Sequence, residues 1–105
     1  MSEFAYIDWL RSRTPADSRV LIGPGDDCAA VRFPVDRPLI VTTDMLLEGS
    51  CFLLAEAGAR RVGRKAMAVN LSDIAAMAGV PRSAVVSVAL PKGERTLAEE
   101  IYRGM

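Results

Sequence analysis

The chain contains no histidine in its 105 residues. That absence excludes Ser-His-Asp and Cys-His catalysis within it, together with nearly all zinc and iron sites. Aromatic residues are few: one Trp, two Tyr and three Phe. Apolar residues make up 50% of the chain, but many are Ala and Val, so a core built from them gains little per side chain. A thin core of this kind favours oligomerisation or packing against a further segment. Charge of one sign is lacking too. Lys plus Arg and Asp plus Glu are both 13, which leaves no basic footprint for nucleic acid. No apolar run approaches the ~20 residues that span a bilayer, and no N-terminal stretch has the charged-then-apolar order of a secretory signal. The two cysteines, Cys28 and Cys51, lack CxxC spacing and read as small buried residues in a reducing compartment. These observations describe a soluble, cytoplasmic chain with no nucleic-acid or membrane partner, and its length is that of one domain.

What remains for chemistry is carboxylate and hydroxyl oxygen, a hard ligand set suited to magnesium or calcium. The local signals predict the order α-β-β-β-α-β-α. A helix over residues 2–12 has Ser2 as its N-cap and Glu3 at the positive end of the dipole, and Thr14-Pro15 stops it. Strands are predicted over 20–22, 28–33, 39–43 and 84–90, the third so rich in β-branched residues that it reads as central and buried on both faces. A second helix spans about 59–78 and ends at Gly79-Val80-Pro81. A capping box, Thr96-Leu97-Ala98-Glu99, opens a last one. The fold class is α+β, with a mixed sheet of about four strands and helices packed on it, not a doubly wound series. The phosphate fingerprints GxGxxG and GxxxxGK[ST] are both missing. The sequence stops barely two turns into the last helix, the pattern of a truncated domain.

Three acidic clusters stand out. Asp26 and Asp27 follow Gly23-Pro24-Gly25. They are either an ordinary turn, with aspartates bonded to nearby amides, or carboxylates holding a cation where glycine lets the backbone approach a ligand. Thr42-Thr43-Asp44 ends the most apolar strand, where functional groups often collect, or simply runs out into solvent; Glu48, four residues on, reads as an exposed charge. Asp73 lies mid-helix, where aspartate has poor propensity, among Val69, Ile74 and Ala75-Ala76, which argue against full exposure. It shares a stripe with Gly63, Ala66, Asn70 and Met77, and small residues early in that stripe would admit another backbone. Asp73 then needs a cation, or a salt bridge to Lys65 or Arg64. The basic cluster from Arg60 to Lys65 reads as a solvated helix start, with phosphate binding as the other option. Together the oxygen donors fit magnesium, which takes few protein carboxylates and shares its remaining positions with water and phosphate.

Gly25-Asp26-Asp27-Cys28-Ala29-Ala30-Val31, Val41-Thr42-Thr43-Asp44-Met45-Leu46-Leu47-Glu48-Gly49 and the block from Lys65 to Met77 (KAMAVNLSDIAAM) together resemble thiamine-monophosphate kinase. That family belongs to the aminoimidazole ribonucleotide synthetase superfamily. The likeness runs on through Pro81 to Ala89-Leu90-Pro91 and covers nearly the whole chain in order. It implies ATP-dependent phosphorylation of thiamine monophosphate to thiamine diphosphate, with ATP as co-substrate and no covalent phosphoenzyme. It implies magnesium ligands at Asp27, Thr42, Thr43, Asp44 and Asp73, and no catalytic nucleophile. It also implies a homodimer formed through the sheets of the N-terminal domains. Where the family has a substrate-contacting histidine, this chain has Cys51, and a thiol does not supply an imidazole's charge or hydrogen bonds. Family members continue past residue 105 with a further aspartate, much of the nucleotide site and a Ser-Asp motif. Residues 1–105 therefore read as a single N-terminal ATP/magnesium-binding domain lacking its C-terminal partner, with little activity alone. Two alternatives stand: another superfamily member with a different phosphate acceptor, or a non-catalytic truncated dimerisation module.

Overall fold

The computed structural model describes residues 2–91 and 93–105. The element order is α1 (Glu3–Arg13), β1 (Val20–Ile22), β2 (Ala30–Val31), α2 (Leu54–Ala57), α3 (Ala59–Ala76) and α4 (Arg95–Gly104). These fall into two compact units. One holds residues 1–39 and 83–93, the other residues 40–82 and 94–105.

In the first unit, α1 begins as its sequence directs. The Ser2 hydroxyl accepts the Ala5 amide at 3.1 Å, Glu3 sits in the first turn and Thr14 closes the helix. None of its residues is buried: Phe4 is 78% exposed, while Ile7, Trp9 and Leu10 are half-buried. Asp17 then shapes the approach to β1. Its carboxylate accepts both the Arg19 amide and the Arg19 guanidinium at 2.8–3.0 Å, and this pairing holds its carboxyl far below the ordinary aspartate range. β1 and β2 form a two-stranded antiparallel hairpin, with Val20 opposite Val31, Ile22 opposite Ala30 and an irregularity between. The Arg32 amide extends the ladder to the Arg19 carbonyl at 2.7 Å.

The expected four-stranded sheet is thus reduced to two strands among the described residues. The second strand covers residues 30–31 rather than 28–33, and residues 39–43 and 84–90 run without ladder partners. Their β-branched side chains favour extended backbone, but a strand exists only when a neighbour takes its amides and carbonyls. Residues 39–43 are also not buried on both faces. Leu39, Val41 and Val85 are 57%, 79% and 87% exposed.

The second unit is organised by α3. This helix is rich in Ala and Arg, both good helix formers. It packs against α4 through the buried apolar pair Val62 and Ala98. Gly63 makes the close approach possible, because a Cβ there would lie 2.0 Å from the Ile101 carbonyl oxygen; one at Gly104 would lie 1.9 Å from that of Arg60. The small residue expected to admit a second backbone does so. The crossing is rimmed by charge. Glu100 accepts from Arg60 at 2.5 Å and from Arg103 at 2.6 Å, and Arg95 pairs with Glu99 at 2.7 Å.

α3 ends two residues earlier than its periodicity suggests. The Ala78 amide returns to the Ala75 carbonyl and the Gly79 amide to that of Ile74, both at 3.0 Å, the pattern of a Schellman cap. The left-handed residue is Ala78, at φ 55°, and not Gly79. Glycine at 79 answers a demand for space, since a Cβ would meet Ile74 Cγ2 at 3.0 Å and Ile40 Cδ1 at 3.2 Å. α4 starts at Arg95 with Glu94 as N-cap and no side-chain cap. The anticipated Thr96–Glu99 box therefore lies inside the first turns, where the Glu99 carboxylate takes Arg95 instead. The short helix α2 carries no periodic signal and was not foreseen.

Candidate functional site

Within the second unit the fold joins two of the sequence-derived positions. The Thr42 hydroxyl donates to Asp73 Oδ2 at 3.4 Å. Thr42 is half-buried, whereas Thr43, Asp44 and Asp73 are exposed. The exposure of Asp73 corrects the expectation drawn from its apolar neighbours: Ile74 and Ala75 point to other faces of α3, and Val69 and Ala76, on the same face, are themselves half-buried and exposed. Its contact is a hydroxyl, and neither Arg64 nor Lys65 pairs with it among the described ion pairs. Asn70, one turn earlier on the stripe, is occupied by its own helix and donates to the Ala66 carbonyl at 2.8 Å.

Cys51 sits half-buried in a tight turn after the Thr42–Asp44 segment. Its amide donates to the Leu47 carbonyl at 2.9 Å, its thiol faces the Met45 carbonyl at 4.0 Å, and its own carbonyl accepts from Lys65 Nζ. The Gly49 amide closes the turn on the Phe52 carbonyl at 2.8 Å. Glu48 is exposed as expected, but it has a task. Its carboxylate accepts the Leu54 amide at 3.2 Å, satisfying one of the orphan donors at the start of α2.

In the first unit, Asp26 is the loop-former: its carboxylate accepts the Asp27 amide at 2.8 Å. This leaves the Asp27 carboxylate exposed. Gly25 before them has φ +114°, a conformation that favours glycine; a Cβ there would lie 2.9 Å from Cδ of the exposed Arg11 side chain, which can move aside. The pair lines an open cleft of about 390 Å³ beside α1, shared with Glu3, Asp8 and Arg11. Cys28, expected to be buried, is exposed.

Among the described residues no three His, Cys, Asp or Glu side chains gather into a cation cage. The donors that do meet are one carboxylate and one hydroxyl, both hard oxygen. Such a sparse set fits magnesium, which keeps several waters and shares phosphate oxygens, better than a cation that needs an all-protein shell. As a site element Lys65 reads in the sequence only as a phosphate contact within the Arg60–Lys65 cluster or as an ion-pair partner of Asp73, and its bond to the Cys51 carbonyl is not read there. Its available signal was identity, since it is one of two lysines in a chain that otherwise uses arginine.

The family described as AIR synthase related protein, N-terminal domain, matches residues 25–105. Relatives named thiamine-monophosphate kinase share 40% identity in Rhodopirellula baltica over 98% of this chain, and 39% in Bacillus subtilis over 100% of it. A third, from Mycobacterium tuberculosis, shares 42% over 87%. These alignments cover 35%, 33% and 27% of the relatives themselves, so the chain spans about a third of their length. No solved structure matches. Among the described residues no helix is long and apolar enough to cross a membrane. With the family matched across its acidic blocks and the rest of the second unit, the chain belongs to the AIR synthase related N-terminal domain family and is homologous to thiamine-monophosphate kinases.

Proposed function

We propose that this chain supplies the magnesium- and ATP-phosphate-handling part of a thiamine-monophosphate kinase, which phosphorylates thiamine monophosphate to thiamine diphosphate. The observation that carries the reading is the Thr42–Asp73 contact, which joins the family-like block around Thr42 to that around Asp73. In this reading Asp27, Thr42, Thr43, Asp44 and Asp73 hold magnesium, and Cys51 faces the thiamine phosphate. Bound magnesium would neutralise phosphate charge and orient the donor for in-line transfer. The aspartates position and neutralise; none is a nucleophile. Residues 1–105 act as the N-terminal ATP- and magnesium-binding domain of a cytoplasmic homodimeric enzyme, with the remaining nucleotide contacts supplied from outside them.

Calorimetry on the folded chain tests this reading. Magnesium-dependent ATP binding is expected for the parent chain, and Asp73→Asn is expected to weaken it at least about tenfold, as loss of a charged ligand does in other metal sites. A folded parent chain that binds neither magnesium nor ATP would sink the proposal. The exposed apolar residues of 39–41 and 85–88 favour one second reading, a dimerisation module without phosphate chemistry.

A further inference from the structure

The segment from Thr42 to Cys51 is fastened to α3 at both ends. Asp73 takes the Thr42 hydroxyl, and Lys65 donates to the Cys51 carbonyl. The two anchors are separated by eight helical positions, about 12 Å along the axis at 1.5 Å per residue. A segment of this length could reach roughly 30 Å if extended, so chain length alone leaves its course undetermined. Its far end is set by hydrogen bonds. The Ser50 and Cys51 amides return to the Leu47 carbonyl at 3.3 and 2.9 Å, and the Gly49 amide meets the Phe52 carbonyl at 2.8 Å. Cys51 thus has its amide, carbonyl and thiol all engaged, the thiol toward Met45 at 4.0 Å. Among the described residues, Lys65 supplies the contact to Cys51 that comes from a separate element, α3. Glu48, the carboxylate within the turn, is committed to the Leu54 amide, and among the described residues Lys65 makes no ion pair that would draw it elsewhere.

We propose that Lys65 is a positioning residue that fixes the direction of the Cys51 side chain, and through it the phosphate-acceptor end of the site. The acceptor part rests on the kinase reading above; the positioning part does not. Lysine suits the task because its ammonium is a compact donor on a long stem, able to cap a carbonyl that the turn itself leaves open.

The test is the rate of alkylation of Cys51 by iodoacetamide, read by mass spectrometry against Cys28 in the same chain. Rates are taken from pH 7 to 10, so that a change in thiolate fraction is separated from a change in access. Lys65→Met is expected to raise the Cys51:Cys28 ratio roughly fivefold at the high-pH plateau, the size of losing one hydrogen bond that opposes local opening. Lys65→Arg, which can still donate, is expected to restore it. Thiamine monophosphate is expected to slow Cys51 alkylation in the parent chain, and to do so less in Lys65→Met. An unchanged ratio in Lys65→Met, with helicity by circular dichroism equal to the parent, overturns the positioning role. A ratio that rises in Lys65→Met, without protection of the parent by thiamine monophosphate, overturns the acceptor assignment alone.

Discussion

Thr42 and Asp73 lie 31 positions apart and meet through a hydroxyl–carboxylate hydrogen bond of 3.4 Å, with the carboxylate open to solvent. The bond is long and water competes for both partners, so it adds little to stability. Its consequence is geometric, because it holds the Thr42 hydroxyl, at the start of the Thr42–Thr43–Asp44 segment, against the α3 carboxylate. Thr42→Val is therefore expected to change unfolding free energy by no more than about 0.5 kcal/mol, while weakening magnesium-dependent ATP binding by roughly tenfold. Calorimetry paired with urea unfolding separates the two effects. A large stability loss with binding unchanged would place Thr42 in the fold and not in the site.

The α3–α4 crossing makes a sharper prediction about stability. A methyl group at Gly63 would fall 2.0 Å from the Ile101 carbonyl oxygen, which belongs to backbone and cannot rotate away. Gly63→Ala gains helix propensity, ~1 kcal/mol in favour, but must push the helices apart. Overpacking of this kind costs typically 1–3 kcal/mol and more when backbone is the obstacle. A fall in thermal midpoint is expected, with the loss of Glu100–Arg60 contact visible as reduced protection at the C-terminal helix. A neutral or stabilising outcome would mean that the helices cross at greater distance.

Much of the second unit was legible in the sequence, because its signals are local. The helical period of residues 59–78, the small residue at 63 and the stop at Gly79-Val80-Pro81 all report on one element and its immediate neighbour. The first helix was legible for the same reason, through Ser2 and Thr14-Pro15. The strands at 39–43 and 84–90 were misjudged because β-branched composition measures how well a residue suits a pleated surface, while pairing depends on a partner far away in sequence. Burial of Asp73 was misjudged because Ile74 and Ala75 point to other faces, and Val69 and Ala76, which share its face, are not buried either. For the site, the types and spacing of Thr42 and Asp73 could be read, and so could the loop-forming role of Asp26. The contact of Lys65 could not, since its partner is a main-chain carbonyl, and carbonyls leave no mark in a sequence.

Acidification should loosen the α3–α4 crossing. The hydrogen bond from Arg60, followed by that from Arg103, holds the Glu100 carboxyl below the ordinary glutamate range. A carboxylate whose folded pKa is depressed contributes stability at pH above its unfolded value, roughly 4.3, and loses it as pH falls through the folded value. The thermal midpoint of the parent should therefore drop below about pH 4.5, and Glu100→Gln should show a shallower drop there and a lower midpoint at pH 7. Arg60 is exposed and Glu100 half-buried, so the difference should shrink in about 1 M salt, where the screening length is near 3 Å. Parallel pH profiles for parent and variant would dismiss the Arg60–Glu100–Arg103 group as a source of stability.

The end of α3 offers the opposite case, a substitution expected to stabilise. The cap needs one residue in the left-handed region, and that residue is Ala78 at φ 55°. A Cβ crowds the carbonyl in this conformation at a cost of about 1–2 kcal/mol, whereas glycine adopts it freely. Glycine also has more freedom to lose on folding, which offsets about 0.4–1 kcal/mol of the gain. Ala78→Gly should thus raise stability by roughly 0.5–1 kcal/mol, seen as a higher urea midpoint with an unchanged slope. Gly79→Ala is the control, because its added methyl would press on Ile74 Cγ2 at 3.0 Å and Ile40 Cδ1 at 3.2 Å. It should lower the midpoint even though it lies one residue away. If Ala78→Gly destabilised the chain instead, the helix would have to end with residue 78 in ordinary helical geometry, and the two 3.0 Å cap bonds to Ala75 and Ile74 would not both form.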